Sequence, residues 1–163
     1  GPSGVTIVGI RKDMLEKCNK NLTTMVDYKT HVQKNSLFNT PPVFAIYMLK
    51  LVLEWVKNNG GLSGIEKINQ QKKDLIYNLL DLHTEYYIPT VEKNSRSWMN
   101  ITFRLPTEDL EKKFLEEAVA NRLIGLKGHR SVGGIRVSLY NAMTLKGTET
   151  VADFMKIFMN KHG

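Results

Sequence analysis

Trp98-Met99-Asn100-Ile101-Thr102-Phe103-Arg104-Leu105, followed directly by Pro106-Thr107, is the stretch whose reading decides the fold. Met99, Ile101, Phe103 and Leu105 alternate with Trp98, Asn100, Thr102 and Arg104, the two-residue period of a strand with one apolar and one polar face. Pro106-Thr107 then opens a helix whose apolar residues Leu110, Phe114, Leu115 and Ala118 share one side. Upstream, a helix carries Ile65, Ile68, Leu75, Ile76 and Leu79 on one side and stops near His83. Ser63 and Glu66 have the capping-box spacing near its start. Downstream, Leu123 to Leu126 is a short strand candidate, and from Ile135 to Tyr140 the alternation returns, with Ile135, Val137 and Leu139 opposite Arg136, Ser138 and Tyr140. A last helix, with Thr148 as its expected cap, shows Val151, Phe154, Met155, Phe158 and Met159 on one face. Lys161 and protonated His162 suit the negative end of its dipole. Helices and strands thus alternate from residue 60 onward, which predicts a compact α/β unit with a small mixed sheet covered by helices.

The first 60 residues read differently. Val5 to Ile10 is a β-branched run and predicts a buried strand. Lys12 to Ser36 has weak periodicity and reads as loop with a short helical turn near Asp13 to Lys17. Pro41 and Pro42 fit a helix start, where a missing amide proton matters little. Val43 to Val56 is the longest apolar stretch. Broken by Lys50 and Glu54, it falls short of the ~20 apolar residues of a membrane span. Lys50, Glu54 and Lys57 form one narrow polar stripe, so this helix is expected to be buried against more than one partner. Asn58-Asn59-Gly60-Gly61 ends it.

A chain of 163 residues with 42% hydrophobic content can bury one sizeable core. Its net charge of +7 fits nucleic acid, an anionic membrane surface or small anionic substrates. The basic residues are dispersed, which argues against a nucleic-acid tail. Cys18 is the single cysteine, so an internal disulfide is excluded and a reducing, cytoplasmic compartment is expected. No secretory signal is visible. Cys18, His31, His83, His129 and His162 show no metal-ligand spacing, so no metal site is expected. Ser131 has no histidine and acid arranged around it as a nucleophile needs.

Lys127-Gly128-His129-Arg130-Ser131-Val132-Gly133-Gly134-Ile135-Arg136 is the most chemically loaded segment. Its glycines let backbone come close to a ligand, and arginine forks match phosphate or carboxylate oxygens in pairs. It reads either as a site for a doubly anionic small ligand or as a solvated basic turn before an edge strand. Ile124-Gly125-Leu126-Lys127-Gly128 also fits the I-G-x-x-G loop of KH RNA-binding domains. A KH loop sits between two helices, whereas this one runs into a strand, and no basic stripe interleaved with aromatics accompanies it.

Together with Asn35-Ser36-Leu37-Phe38-Asn39-Thr40-Pro41-Pro42, these residues resemble the phosphoserine aminotransferase family. Asn39-Thr40-Pro41-Pro42, Gly128-His129-Arg130, Gly133-Gly134-Ile135-Arg136 and Tyr140-Asn141-Ala142 look like that family's motifs in its order and spacing. Asn58-Asn59-Gly60-Gly61, Glu66-Lys67-Ile68-Asn69 and Phe114-Leu115-Glu116-Glu117-Ala118 agree. The resemblance covers essentially the whole chain. It implies the small carboxy-terminal α/β domain of a fold-type I, class V pyridoxal-phosphate transaminase, preceded by a remnant of the large domain. Residues 1–38 would be that remnant, 39–60 the cofactor-contact loop and connecting helix, and 61–163 the small domain.

The resemblance also implies roles. Asn39 and Thr40 match residues that contact the cofactor phosphate from the neighbouring subunit of a homodimer; from the residues alone the pair reads as a cap of the helix that follows, and the two roles can coexist. Arg136 matches the arginine that holds the substrate α-carboxylate. His129 and Arg130 match the pair that meets the distal anion. Substrates would be phosphoserine with 3-phosphohydroxypyruvate, and glutamate with 2-oxoglutarate, in serine biosynthesis; neither nucleic acid nor membrane is expected as a partner. The opening Gly1-Pro2-Ser3-Gly4 looks like the segment just after the Schiff-base lysine, though Gly1-Pro2 also suits a tag-cleavage scar. The chain holds no lysine at the matching position, so it is expected to be inactive alone, as a portion of the enzyme or as a silent truncated subunit. One departure is Trp98, where the family usually has a basic residue two positions after the arginine matching Arg96. It is expected near the strand start, at the surface.

Overall fold

In the computed structural model, which describes residues 3–19 and 21–163, two compact units follow one another, Gly1–Asn58 and Asn59–Gly163. The expectation attached to Gly1-Pro2 lies outside the described residues.

The first unit holds α1 (Lys12–Glu16), a 3-10 turn at Thr24–Val26, α2 (Tyr28–Gln33) and α3 (Val43–Asn58). The stretch read as mostly loop therefore has more helix than its periodicity suggests. Asp27 starts α2 by accepting from the Lys29 amide at 3.0 Å. The strand expected at Val5 to Ile10 is absent: these residues belong to no sheet, and Ile7 is 70% exposed. A β-branched run becomes a strand only where a neighbour takes its backbone hydrogen bonds, and no described residue does so. The burial expected of α3 is corrected as well. Ala45 is its one buried residue, and Phe44 is 70% exposed. Its apolar residues go most of the way round the helix, and the described residues leave most of them exposed.

The second unit holds α4 (Gly61–Leu82), β1 (Ile88–Pro89), β2 (Asn100–Arg104), α5 (Glu108–Ala120), β3 (Ile135–Ser138) and α6 (Leu145–His162). The α/β architecture is as expected, but the sheet is antiparallel throughout rather than mixed. Its order is β1-β2-β3, with Ile101 opposite Val137 and Phe103 opposite Ile135. Leu123 to Leu126 forms no strand; the chain joins the sheet only through an isolated bridge between Lys127 and Ile135. Two helix starts also differ. Gly60, in the left-handed region at φ 87°, precedes α4, so Ser63 and Glu66 lie inside the helix and form no capping box. Thr144, not Thr148, caps α6 by accepting from the Gly147 amide at 3.1 Å. Thr148 is fully buried one turn later and donates to Thr144 O.

The core lies where the apolar face of the sheet meets the helices. Phe103 stands edge-on to Tyr87 and Phe114, with centroids 5.4 and 6.1 Å away, and Phe114 stands edge-on to Phe154 and Phe158. Tyr87 keeps its hydroxyl satisfied by donating to Met155 O at 2.7 Å. Edge-to-face pairs of this kind add to simple area burial. Trp98 sits just before β2, with the Lys73 ammonium 5.0 Å from its ring centroid.

One buried cation organises the end of the sheet. Lys72 is completely buried on the core side of α4, and its ammonium donates to Leu139 O, Tyr140 O and Met143 O at 3.0–3.2 Å. Burial pushes its pKa below the ordinary lysine value. One helical turn earlier, Asn69 donates to Asn141 Oδ1 at 2.8 Å. Together they pin the turn that follows β3. Lys72→Met keeps the stem but leaves those carbonyls unmet, and a hydrogen bond to a charged group is worth roughly 1.5–3 kcal/mol. The substitution should therefore lower stability by about 2–4 kcal/mol in urea unfolding, a loss at the level of a broken buried polar network.

Candidate functional site

The polar face of the sheet and the loop entering β3 form the candidate site. Alternation along β2 and β3 puts Ile101, Phe103, Ile135 and Val137 into the core, which leaves Asn100, Thr102, Arg104, Arg136 and Ser138 on the other face. Arg136 lies opposite Thr102. Thr102 in turn shares a 2.6 Å hydroxyl contact with Thr90. Ser138 and Tyr140 both donate to Asn100 Oδ1, at 3.2 and 3.3 Å. Arg136 is half-buried, and its Nε is enclosed with no hydrogen-bond acceptor among the described residues.

The loop is closed at its base. The Gly128 amide donates to Gly134 O at 2.8 Å, and the Arg136 amide donates to Leu126 O at 2.8 Å. A Cβ at Gly128 would stand 1.9 Å from Gly133 O, so no larger residue fits. Gly133 and Gly134 have φ of 76° and 71°, which glycine adopts without strain. Within the loop, the Val132 and Gly133 amides donate to His129 O at 2.9 and 2.8 Å. His129 Nδ1 lies 2.7 Å from Ser131 Oγ and accepts from the Ser131 amide at 3.3 Å. Both contacts fall on Nδ1 and fix the ring by that edge. Arg130 is exposed at the loop tip. His129, Arg130 and Arg136 are thus brought together in one loop and the strand it feeds. The KH reading finds no support here, since the I-G-x-x-G segment lies between α5 and β3 rather than between two helices.

Asn39 and Thr40 lie in the other unit, exposed just before α3. Ahead of them the chain turns sharply, with Asn35 and Ser36 in the left-handed region at φ 50° and 63°. The Ser36 amide closes the turn on His31 O at 2.8 Å. The Asn39 side-chain amide points to Thr40 O at 3.3 Å.

Several residues of the second unit escaped the sequence reading. Ser131 was considered only as a nucleophile, but it fixes the ring of His129. Arg104 binds Glu111 at 2.7 Å and donates to Val132 O at 3.0 Å, tying the loop to α5. Asn69 and Lys72 did carry a signal, because they fall on the same helical stripe as Ile65, Ile76 and Leu79, where a polar residue must find an internal partner.

With this geometry in place, comparison with known proteins is informative. Residues 1–151 match the family described as aminotransferase class-V. A phosphoserine aminotransferase of Herpetosiphon aurantiacus is 53% identical over 163 residues, all of this chain and 45% of that protein. One from Lysinibacillus sphaericus is 54% identical over 162 residues, 99% of this chain and 45% of that protein. Among solved structures, phosphoserine aminotransferase from Bacillus circulans subsp. alkalophilus superposes with a TM-score of 0.88 at 45% identity, covering 94% of this chain and 43% of that one. A PLP-bound phosphoserine aminotransferase from Trichomonas vaginalis gives a TM-score of 0.81 at 34% identity, covering 90% of this chain and 42% of that one. The chain spans a little under half the length of these relatives. On the family match and the identity along its whole length, the chain belongs to the class-V aminotransferases.

Proposed function

We propose that this chain is a portion of a phosphoserine:2-oxoglutarate aminotransferase of serine biosynthesis, acting in the cytoplasm as a homodimer when intact. The observation that carries the reading is the closed loop with His129 and Arg130 feeding a strand whose next outward residue is Arg136. Two cationic groups, Arg130 and Arg136, are separated by a hydrogen-bonded glycine turn, which suits a substrate with an anion at each end. Residues 1–38 would then be a remnant of the large domain, 39–60 the contact loop and connecting helix, and 61–163 the small domain. The exposed apolar surface of α3 supports a longer parent, since such a face needs cover.

Each residue has a chemical task in this reading. Arg136 holds the α-carboxylate that both amino-acid substrates carry. Its place on the polar face of β3 suits the paired contact that a guanidinium fork makes with a carboxylate. His129 meets the distal anion, phosphate or carboxylate, through the ring edge opposite its Ser131 contacts. Arg130, exposed at the loop tip on a long side chain, adds a charge that can meet either anion. Asn39 and Thr40 are exposed hydrogen-bond donors and fit a phosphate of pyridoxal phosphate reaching them from the partner subunit. When bound, pyridoxal phosphate supplies the electron sink for amino transfer. The 163 residues alone contain no lysine matching the family's Schiff-base position, and turnover by the isolated chain should not exceed that of free pyridoxal phosphate in an assay of phosphoserine with 2-oxoglutarate.

The cross-subunit role is tested in the full-length dimer. Asn39→Ala with Thr40→Ala should weaken retention of the cofactor, with roughly 1.5–3 kcal/mol at stake per bond to a charged group. Substrate KM should change much less. Cofactor affinity that stays at the wild-type value, measured by equilibrium dialysis, removes this role and leaves the pair as part of the turn before α3.

The two arginines are separated by kinetics of both half-reactions. Arg136→Lys keeps the charge and loses the fork, so kcat/KM should fall to a similar extent for phosphoserine and glutamate. Arg130→Ala should harm phosphoserine more, because phosphate carries more charge than carboxylate. Each ~1.4 kcal/mol of differential contact shifts the ratio tenfold. Equal losses for both substrates in Arg130→Ala, or a one-sided loss in Arg136→Lys, would show that the anion contacts are assigned wrongly.

A further inference from the structure

Arg104 stands on the polar face of β2, beside the loop that carries His129 and Arg130. An arginine in that place invites reading as a third anchor for the substrate. Two of its three nitrogens are already engaged. Nε lies 2.7 Å from Glu111 Oε1, and Nη1 donates to Val132 O at 3.0 Å. Glu111 is 8% exposed, sits in the first turn of α5, and accepts from the Leu105 amide at 3.2 Å with the same oxygen. The charge of Arg104 is therefore neutralised at contact distance by a fixed carboxylate. Its attraction for an incoming anion is correspondingly small, while its geometric role is large.

The glycines of the loop fit this arrangement. A Cβ on Gly134 would meet Arg104 Cδ at 2.7 Å and Phe103 O at 2.9 Å, and one on Gly133 would meet Arg104 Nη1 at 3.1 Å. The arginine stem thus lies directly against the bare backbone of the Gly133-Gly134 pair. The pair leaves room for Arg104, where the sequence suggests only room for a ligand. A guanidinium serves two acceptors in fixed directions at once, here one on α5 and one on the loop, which an ammonium on a flexible stem does less well.

We propose that Arg104 is a positioning residue: braced by Glu111, it holds the loop of residues 128–134 in the place where His129 and Arg130 meet the distal anion, without touching that anion itself. The idea rests on reading the loop as the distal-anion site. It predicts that Arg104 affects substrate binding through the order of the loop.

The test compares Arg104→Ala, Arg104→Lys, Glu111→Gln and Arg130→Ala in the full-length holoenzyme. Amide hydrogen exchange of the peptide covering residues 128–134 is measured beside steady-state kinetics, with inorganic phosphate as a competing anion. In Arg104→Ala, exchange in the loop should rise by about tenfold or more while the α4 and β2 amides stay protected. KM for phosphoserine and the inhibition constant of phosphate should rise about tenfold, with kcat within about threefold of wild type. Arg104→Lys should recover part of both effects, and Glu111→Gln should move both in the same direction as Arg104→Ala. Weaker phosphate binding with unchanged loop exchange would mean direct anion contact and overturn the proposal; so would no change in either. If Arg104→Ala does not fold, Arg104→Lys and Glu111→Gln carry the same comparison. In Arg130→Ala, unchanged KM for phosphoserine would sink the anion-site reading, and the exchange data would still decide whether Arg104 holds the loop.

Discussion

The second unit depends on the strict alternation of one central strand. β2 has a neighbour on each side, so its backbone is committed in both directions and its side chains can only point up or down. Phe103 goes down between Tyr87 and Phe114, and this fixes the phase of every other residue in the strand. Arg104 must then go up, as must Thr102 and Asn100. Through the register with β3 the same phase sends Arg136 and Ser138 up. A slip by one residue would bury Arg136 and expose Phe103. The aromatic core and the polar surface that carries Arg104 and Arg136 are therefore two sides of one constraint.

The unit uses its positive charge in two ways. Some cations are consumed internally. Arg96 makes a two-pronged pair with Asp81 at 2.9 and 2.6 Å and lies 4.5 Å from the centre of the Tyr77 ring. The hydrogen bond from Arg96 holds the Asp81 carboxyl below its ordinary pKa. Lys72 serves backbone carbonyls, and Arg104 serves Glu111 and the loop. Others are offered outward, among them Arg130 and, behind the loop, Arg136. Composition alone merges these into a single net charge, and only the partners of each residue separate them.

What the sequence disclosed follows the range of the interactions involved. The alternation of β2, the core faces of α5 and α6, and the end of α4 near His83 depend on local pattern, and they were legible. The expected mixed sheet, and the strands at Val5 to Ile10 and Leu123 to Leu126, depended on which segments would find partners, and pattern does not encode this. The caps were misplaced for a related reason. Thr148 has the chemistry of a cap, but the helix begins a turn earlier at Thr144, which left Thr148 to the core. In the site, residue types pointed to His129, Arg130 and Arg136 as a group. The brace behind them joins positions 104, 111 and 132, and no spacing rule relates residues on a strand, a helix and a loop.

The uncovered surface of α3 gives this chain an unusual colloidal character. Val43, Phe44, Tyr47 and Leu53 are each more than half exposed, on a molecule that carries a net charge of +7. In dilute buffer the like charges keep copies of the chain apart, while the greasy helix draws them together. Ionic strength acts on only one of these forces. At about 0.15 M salt the repulsion reaches only ~8 Å, and at higher salt it shrinks further while the apolar attraction remains. Salt would then clump this chain in the range where it normally loosens complexes held by opposite charges, and low ionic strength is the condition in which it stays dispersed.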